Sequence, residues 1–311
     1  MRFIDADEVF ARLTPDVCIT LIREAMIGLS TNEITQPLRN IVQIGEGRLF
    51  GVMPGVLGKG EYFGAKLLGV YPVPGSEARQ RHHGMVALFD GESGKPVCIA
   101  DAEAITTVRT AAATAVATEA LARPDAETLA IFGHGTQAES HLKALTAIHA
   151  YERILVWGRS LERASVFARK QAEATGLAIE ATESAEDAAR ASDVICTVTT
   201  SSVPVLLGKW VRPGTHVNAV GSSFAGPVEV DSDLVVASRY VVDSRKSALA
   251  QAAEFLNAKA AGLVNDDHIV AEIGEVLAGK VAGRRETSET TFYKSLGHIV
   301  QDLAAARYLS S

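Results

Sequence analysis

The sequence predicts an α/β protein built from a doubly wound parallel sheet and a separate α+β domain. Three observations carry this reading. From residue 127 onward short apolar strands alternate with helices, as in parallel sheets buried on both faces. Before residue 104 several strand-like pieces follow one another without intervening helices, the mark of an α+β layer. The length, 311 residues, exceeds the ~250–300 at which one hydrophobic core tends to divide.

Along the chain, Thr14-Pro15-Asp16 opens a helix with Thr at the N-cap and Pro at the first helical position, running through Ile22, Ala25 and Met26. Strand-like pieces follow at 49–53 and 62–70. Val86 to Ile99 reads as a hairpin turning at Asp90-Gly91-Glu92-Ser93-Gly94, where glycines and short polar side chains favour a reversal. Ile105 to Leu121 is rich in Ala and Thr with helical periodicity and stops at Arg123-Pro124, which suits a connecting helix. The alternation then sets in: strand 129–132, helix 137–149, strand 153–157, helix 161–174, a short strand at 178–180, a helix near 185–190, and strands at 194–198, 216–220 and 240–242. The closing segment, Thr291 to Leu309, reads as one helix that packs back onto the first domain.

Composition narrows the function classes. Hydrophobic residues make up 47% and charged residues 22%, which excludes a disordered or fibrous chain. Thirty Lys and Arg against 37 Asp and Glu give a formal charge of −7. With no basic run, neither nucleic acid nor an anionic membrane is an expected partner. Cys18, Cys98 and Cys196 are far apart and odd in number, as structural thiols of a reducing cytosol would be. The acidic start Asp5-Ala6-Asp7-Glu8 does not fit a signal peptide, and no apolar stretch approaches the ~18 residues of a membrane span. A cytoplasmic location is expected, and no metal-ligand cluster is read.

Chemistry enters at Gly133-His134-Gly135-Thr136-Gln137-Ala138. This G-x-G-x-x-A follows a strand and opens a helix, the setting of a Rossmann dinucleotide loop. Gly133 allows the tight turn, Gly135 lets a pyrophosphate reach the backbone, and Ala138 lets the helix pack on the strand. Backbone N–H groups from Thr136 and Gln137 meet the negative charge. An NAD site would place Asp or Glu at the end of the second strand to hold the ribose 2′-OH. Here that strand ends Gly158-Arg159-Ser160, with Arg163 one turn later. Arginines pair with a 2′-phosphate that an acid would repel, so NADPH is the expected cofactor, with NADH also usable.

Five stretches together resemble the ornithine cyclodeaminase/mu-crystallin family: Gly64-Ala65-Lys66-Leu67-Leu68, Asp101 to Ala112 with its Arg109-Thr110-Ala111-Ala112, the glycine loop, Asn218-Ala219-Val220-Gly221, and Lys294-Ser295-Leu296-Gly297. They occur in the family's order across essentially the whole chain. The resemblance implies a substrate-binding and dimerisation domain from residues 1–118 and 291–311, a Rossmann domain from 119–290, an active site in the cleft between them, and a homodimer. It also implies an imino or amino acid substrate, with Arg39, Lys66 and Arg109 on its carboxylate and Leu296 beside it. The chemistry of those residue types agrees, because a planar carboxylate in a dry site calls for a guanidinium fork or a point cation. Arg81, Thr110, Thr199, Gly221 and Ser295 fall near the cofactor. Lys66 and His82 stand as candidate proton donors or relays, with His82 equally readable as one of two loop histidines.

One departure is informative. Cyclodeaminating members carry an Asp in a Gly-Ala-Asp-x-Pro-Gly-Lys pattern, where this chain reads Gly221-Ser222-Ser223-Phe224-Ala225-Gly226-Pro227. Ser223 takes the acid's place, bordering the nicotinamide, and a hydroxyl does not shuttle protons near neutral pH. The resemblance therefore points to the ketimine reductases of the family, which reduce Δ1-pyrroline-2-carboxylate to L-proline or Δ1-piperideine-2-carboxylate to L-pipecolate. Ornithine cyclodeaminase, an alanine or opine-type dehydrogenase, and a non-catalytic binding protein are the alternatives.

Overall fold

A computed structural model describes the backbone of residues 1–31, 36–73 and 76–311, and their side chains apart from residues 73 and 76–82. The chain opens with β1 (Arg2–Ile4), α1 (Ala6–Arg12) and α2 (Pro15–Ser30). Five strands follow: β2 (Asn40–Gly45), β3 (Arg48–Val56), β4 (Phe63–Val73), β5 (Ser76–Phe89) and β6 (Pro96–Asp101). The long helix α3 (Ala102–Leu121) leads into β7 (Thr128–Phe132), α4 (Thr136–Ile148), β8 (Arg153–Trp157), α5 (Leu161–Thr175), β9 (Ile179–Thr182), α6 (Ala185–Ala191), β10 (Val194–Thr197) and β11 (His216–Ala219). Then come α7 (Ser232–Ala237), β12 (Arg239–Val242), α8 (Arg245–Gln251), α9 (Ala253–Ala260), β13 (Ile269–Glu272), α10 (Ile273–Leu277), β14 (Thr291–Lys294) and α11 (Ile299–Ser310).

These elements form two compact units, Met1–Ala113 with Gly297–Ser311, and Thr114–Leu296. The division falls inside α3.

The first unit holds a six-stranded sheet in the order β1-β6-β5-β4-β3-β2. β1 pairs parallel with β6, and the other neighbours pair antiparallel. The hairpin between β5 and β6 turns at 90–95, where Asp90 accepts from the Ser93 amide and hydroxyl, an Asx-type turn. Helix α11 lies on one face of this sheet. Its Ile299 sits over Gly55 and its Leu303 over Gly64, where a Cβ would stand 2.5 and 3.0 Å away. The missing side chains let α11 approach the strands closely.

The second unit is an eight-stranded sheet in the order β13-β12-β14-β11-β10-β7-β8-β9, every pair parallel. Period-two side chains divide it into two cores. Ala130, Phe132, Ile195 and Tyr240 pack on one face, and Leu129, Ile131, Val156 and Cys196 on the other. That two-sided burial is why these strands are short continuous apolar runs. The strand order reverses beside β7: β8 and β9 lie to one side, β10 and β11 to the other. Such a switch point leaves a crevice outside the strands' carboxyl ends.

Two expectations are corrected. Thr291 to Leu309 is not one helix: Thr291–Lys294 is strand β14, wedged between β11 and β12, and α11 begins only at Ile299. All four β14 residues are buried, and Gly297 breaks the chain at φ +76°. The reading of His82 and His83 as two loop histidines is not met either, and Arg81 precedes them on the same strand. Arg81, His82 and His83 lie on β5, registered against Tyr71, Val70 and Gly69 of β4.

Among the described residues, no helix is long and apolar enough to cross a membrane, and no group of His, Cys, Asp and Glu could hold a metal ion.

Candidate functional site

In the first unit, β4 presents Lys66, α3 presents Arg109, and α11 presents Asp302 to both. Lys66 and Asp302 are 2% and 0% exposed, with Nζ 2.9 Å from Oδ1. Arg109 reaches the same oxygen through Nε at 3.3 Å, and its Nη1 donates to Gln301 Oε1 at 2.8 Å. Lys66 Nζ also donates to the Thr106 hydroxyl. Arg39 donates through Nη2 to the Gly297 carbonyl at 3.0 Å. Gly297 belongs to this constellation for a steric reason, since a Cβ there would stand 2.7 Å from Arg109 Nη1.

Two buried cations thus share one oxygen of one carboxylate, and Asp302 Oδ2 has no hydrogen-bond partner among the described residues. One positive charge exceeds what Asp302 supplies. Burying such a charge is costly unless an anion joins it. Burial is also the main reason that the Lys66 ammonium is pulled down from its ordinary 10.5 to about 8. Asp302 opposes that fall, and the Arg109 and Arg39 charges add to it. Sequence reasoning picks out the three cations but misses Asp302 and Gln301. An acid on a C-terminal helix bears no local sign of a partner 236 residues away.

In the second unit, β7 runs into the glycine loop. Gly133, at φ +133°, donates to the Trp157 carbonyl at 2.8 Å, tying the loop to the end of β8. Helix α4 begins after Gly135 with no side-chain cap, so N–H groups of its first turn lack helical acceptors. A Cβ at Gly135 would meet nothing within 4 Å, which leaves the backbone open on that side. Thr136 is exposed, Ala138 is buried on the strand, and Gln137 Oε1 is buried without a hydrogen-bond partner among the described residues. An open amide cradle and an orphaned acceptor fit a pyrophosphate and a ribose hydroxyl.

At the end of β8, Arg159 and Arg163 are exposed. Ser160 caps α5 by accepting from the Arg163 amide. No acid stands at Gly158, Arg159 or Ser160. After β10, Thr199 is half-buried, and after β11, Gly221 is exposed and Ser223 half-buried. Ser222, not Ser223, closes that loop, by donating to the Pro227 carbonyl at 2.5 Å. Ser295 and Leu296 are buried after β14, their amides bonded to the Ala219 carbonyl and to Asp243. Thr110 is buried on α3. The side chains of Arg81 and His82 lie outside the described residues.

Two buried histidines of the second unit, His141 and His216, serve packing. His141 bonds Thr114 and the Gln137 carbonyl, and burial draws it down to about 4. His216 bonds Thr291 and Asn218.

An eight-stranded parallel sheet with a glycine loop at its switch point defines a Rossmann-fold dinucleotide binder, here in a chain whose other unit buries two cations on one carboxylate. The model of the ornithine cyclodeaminase/mu-crystallin family matches residues 3–311, and the chain belongs to that family. It is 35% identical to a ketimine reductase mu-crystallin of Rattus norvegicus, over 98% of this chain and 95% of the relative. It is 34% identical to a Δ1-pyrroline-2-carboxylate reductase of Bacillus cereus, over 83% and 79%. Among solved structures, the Δ1-pyrroline-2-carboxylate reductase of Thermococcus litoralis in complex with NADH and L-proline matches with a TM-score of 0.94 at 30% identity. That match covers 100% of this chain and 96% of the other.

Proposed function

We propose that the chain reduces cyclic ketimine carboxylates, foremost Δ1-pyrroline-2-carboxylate to L-proline, with Δ1-piperideine-2-carboxylate to L-pipecolate as a second reaction. The observation that carries this reading is the pair of buried cations on a single carboxylate oxygen, which among the described residues leaves one positive charge for a substrate carboxylate. Lys66 and Arg109 hold that carboxylate, with Arg39 beside them. The relatives with this reaction in their names, and the one holding NADH and L-proline, support it.

When bound, the reduced nicotinamide supplies the hydride to C2. The protein's own share is small. Arg109 and Lys66 orient the ring, and Lys66, close to neutrality at about 8, holds a proton within reach of the imine nitrogen. Hydride transfer needs donor and acceptor carbons held at ~3–3.5 Å. Arg159 and Arg163, with no acid at the strand end, favour NADPH over NADH. Ser223 argues against cyclodeamination, because the loop from Gly221 to Pro227 contains no carboxylate.

We assign substrate binding and dimer formation to the first unit. Exposed Ile41, Val42 and Ile44 on β2 form an apolar edge suited to a second copy. Three buried free cysteines suit a reducing cytoplasm.

The test is a panel of both imines with both cofactors, run beside L-ornithine, on a preparation sized by gel filtration. Consumption of NADPH with the five-membered imine, no ammonia from ornithine and a two-chain mass are expected. Turnover of neither imine would overturn the reading.

A further inference from the structure

Between the ends of β10 and β11 lies a buried acid with no part in the reading above. Glu229 is 0% exposed. Its Oε1 accepts from the Thr199 amide at 2.6 Å and the Thr199 hydroxyl at 2.8 Å. Its Oε2 accepts from the Gly221 amide at 2.6 Å and the Thr197 hydroxyl at 2.9 Å. Four donors fill the lone-pair sites of one carboxylate. The Glu229 amide in turn donates to Glu254 Oε1 at 3.4 Å, and Glu254 pairs with the fully buried Lys294 of β14 at 2.9 Å. Burial raises the Glu229 carboxyl, while Lys294 and the hydrogen bonds from Thr199 and Thr197 oppose that rise.

The donors come from two chain segments, one leaving β10 and one leaving β11. They are drawn so close that a Cβ at Gly221 would stand 2.0 Å from the Thr199 carbonyl oxygen and 2.6 Å from Glu229 Oε1. Both segments lie at the carboxyl ends of strands on the far side of the switch point from β8. A dinucleotide spans that crevice with its phosphates on the glycine loop after β7. In this arrangement one mononucleotide half lies on the β8 side, the side that carries Arg159. The other half must lie over β10 and β11.

We propose that Glu229 is a positioning residue: it clips the segments after β10 and β11 together and so sets the floor on which the nicotinamide half of the cofactor rests. This rests on the nicotinamide reading above. A neutral amide does not replace the clip. Each carboxylate oxygen serves one backbone N–H, so a glutamine NH2 would face either the Thr199 or the Gly221 donor. A buried donor facing a donor is left unsatisfied, and the segments separate.

The test compares the full-length wild type with Glu229→Gln by calorimetric titration of ADP-ribose and of NADPH, together with turnover of Δ1-pyrroline-2-carboxylate. ADP-ribose affinity is expected to hold within about twofold, while kcat falls ~100-fold, the scale set by an ångström of misplacement. The NADPH affinity should lose the part of its advantage over ADP-ribose that the nicotinamide supplies and keep the part that the 2′-phosphate supplies at Arg159 and Arg163. Equal losses for fragment and whole cofactor would mark Glu229 as a general structural residue and overturn the proposal, as would an unchanged kcat. If Glu229→Gln does not fold, Thr197→Val removes one of the four donors and keeps the carboxylate. It should show the same split at about threefold to tenfold, the worth of one hydrogen bond, and no split would overturn the proposal. A wild type that binds ADP-ribose but turns over no imine would strike the functional reading alone. One that binds neither nucleotide would strike both.

Discussion

Lys66 keeps its ammonium where almost all of its water has been removed, and that sets how the proposed carboxylate site should respond to pH. Desolvation pulls it from 10.5 to about 8, against the attraction of Asp302. Below about 8 the side chain is protonated and attracts a carboxylate; above about 8 it is neutral and does not. An anionic ligand bound beside it must therefore raise its proton affinity, and by linkage the ligand binds less tightly as pH rises through that value. Pyrrole-2-carboxylate is a suitable probe, because its ring nitrogen does not titrate in this range. Its affinity should be flat near pH 7 and then weaken by up to about tenfold per pH unit above 8, the limit for one linked proton. In Lys66→Met the affinity should be lower and its pH profile level. A wild-type profile that stays level to pH 9.5 would mean that Lys66 does not carry the linkage.

Strand β14, the turn at Gly297 and helix α11 show what single elements contribute and how far they can be read in advance. The alternating strands and helices from β7 onward are legible because burial on both faces leaves short apolar runs, and the glycine loop stands at the junction its chemistry requires. The Thr291-Phe292-Tyr293-Lys294 run misleads. It is apolar enough to extend the α11 pattern, and its β-branched and aromatic residues signal a strand only once Gly297 is taken as a break. Lys66 and Arg109 stand out as cations in apolar surroundings, and Arg39 is picked out by the family resemblance alone. Asp302 and Glu229 do not stand out: the partners of Asp302 lie 193 and 236 residues away, and those of the Glu229 carboxylate lie 30 and 32 residues away or across the loop at Gly221. Gly297 carries a prediction of its own. Gly297→Ala puts an L side chain at φ +76° and a Cβ 2.7 Å from Arg109 Nη1. It should cost about 1–3 kcal/mol in urea unfolding and raise the KM for the imine, while ADP-ribose affinity in the other unit stays put. An unchanged KM would show that Arg109 does not depend on this turn.

Over the whole molecule, acids outnumber bases and the formal charge is −7, yet both the substrate and the cofactor proposed for it are anions. Attraction must come from local groups, and the chain divides them between its units. Buried Lys66 and Arg109 stand in one, and exposed Arg159 and Arg163 at the end of β8 in the other. Salt distinguishes the two sets. Buried pairs are little screened, whereas exposed cations lose reach beyond a Debye length of ~8 Å at physiological ionic strength. Added salt should therefore raise the KM for NADPH more than the KM for NADH, since only NADPH brings a 2′-phosphate to Arg159 and Arg163. Among the described residues neither arginine is held in an ion pair, so the phosphate need not displace an acid. Arg159→Asp reverses the charge at the strand end and supplies the carboxylate that a ribose 2′-OH prefers. A charge-assisted hydrogen bond to phosphate is worth about 1.5–3 kcal/mol, and repulsion from the new carboxylate adds to the loss. The ratio of kcat/KM for NADPH over NADH should fall at least ~100-fold, with the KM for the imine unchanged and the extra salt dependence of NADPH reduced. If the ratio holds, the second strand does not choose the cofactor, and the preference must be sought in other residues of the Rossmann unit.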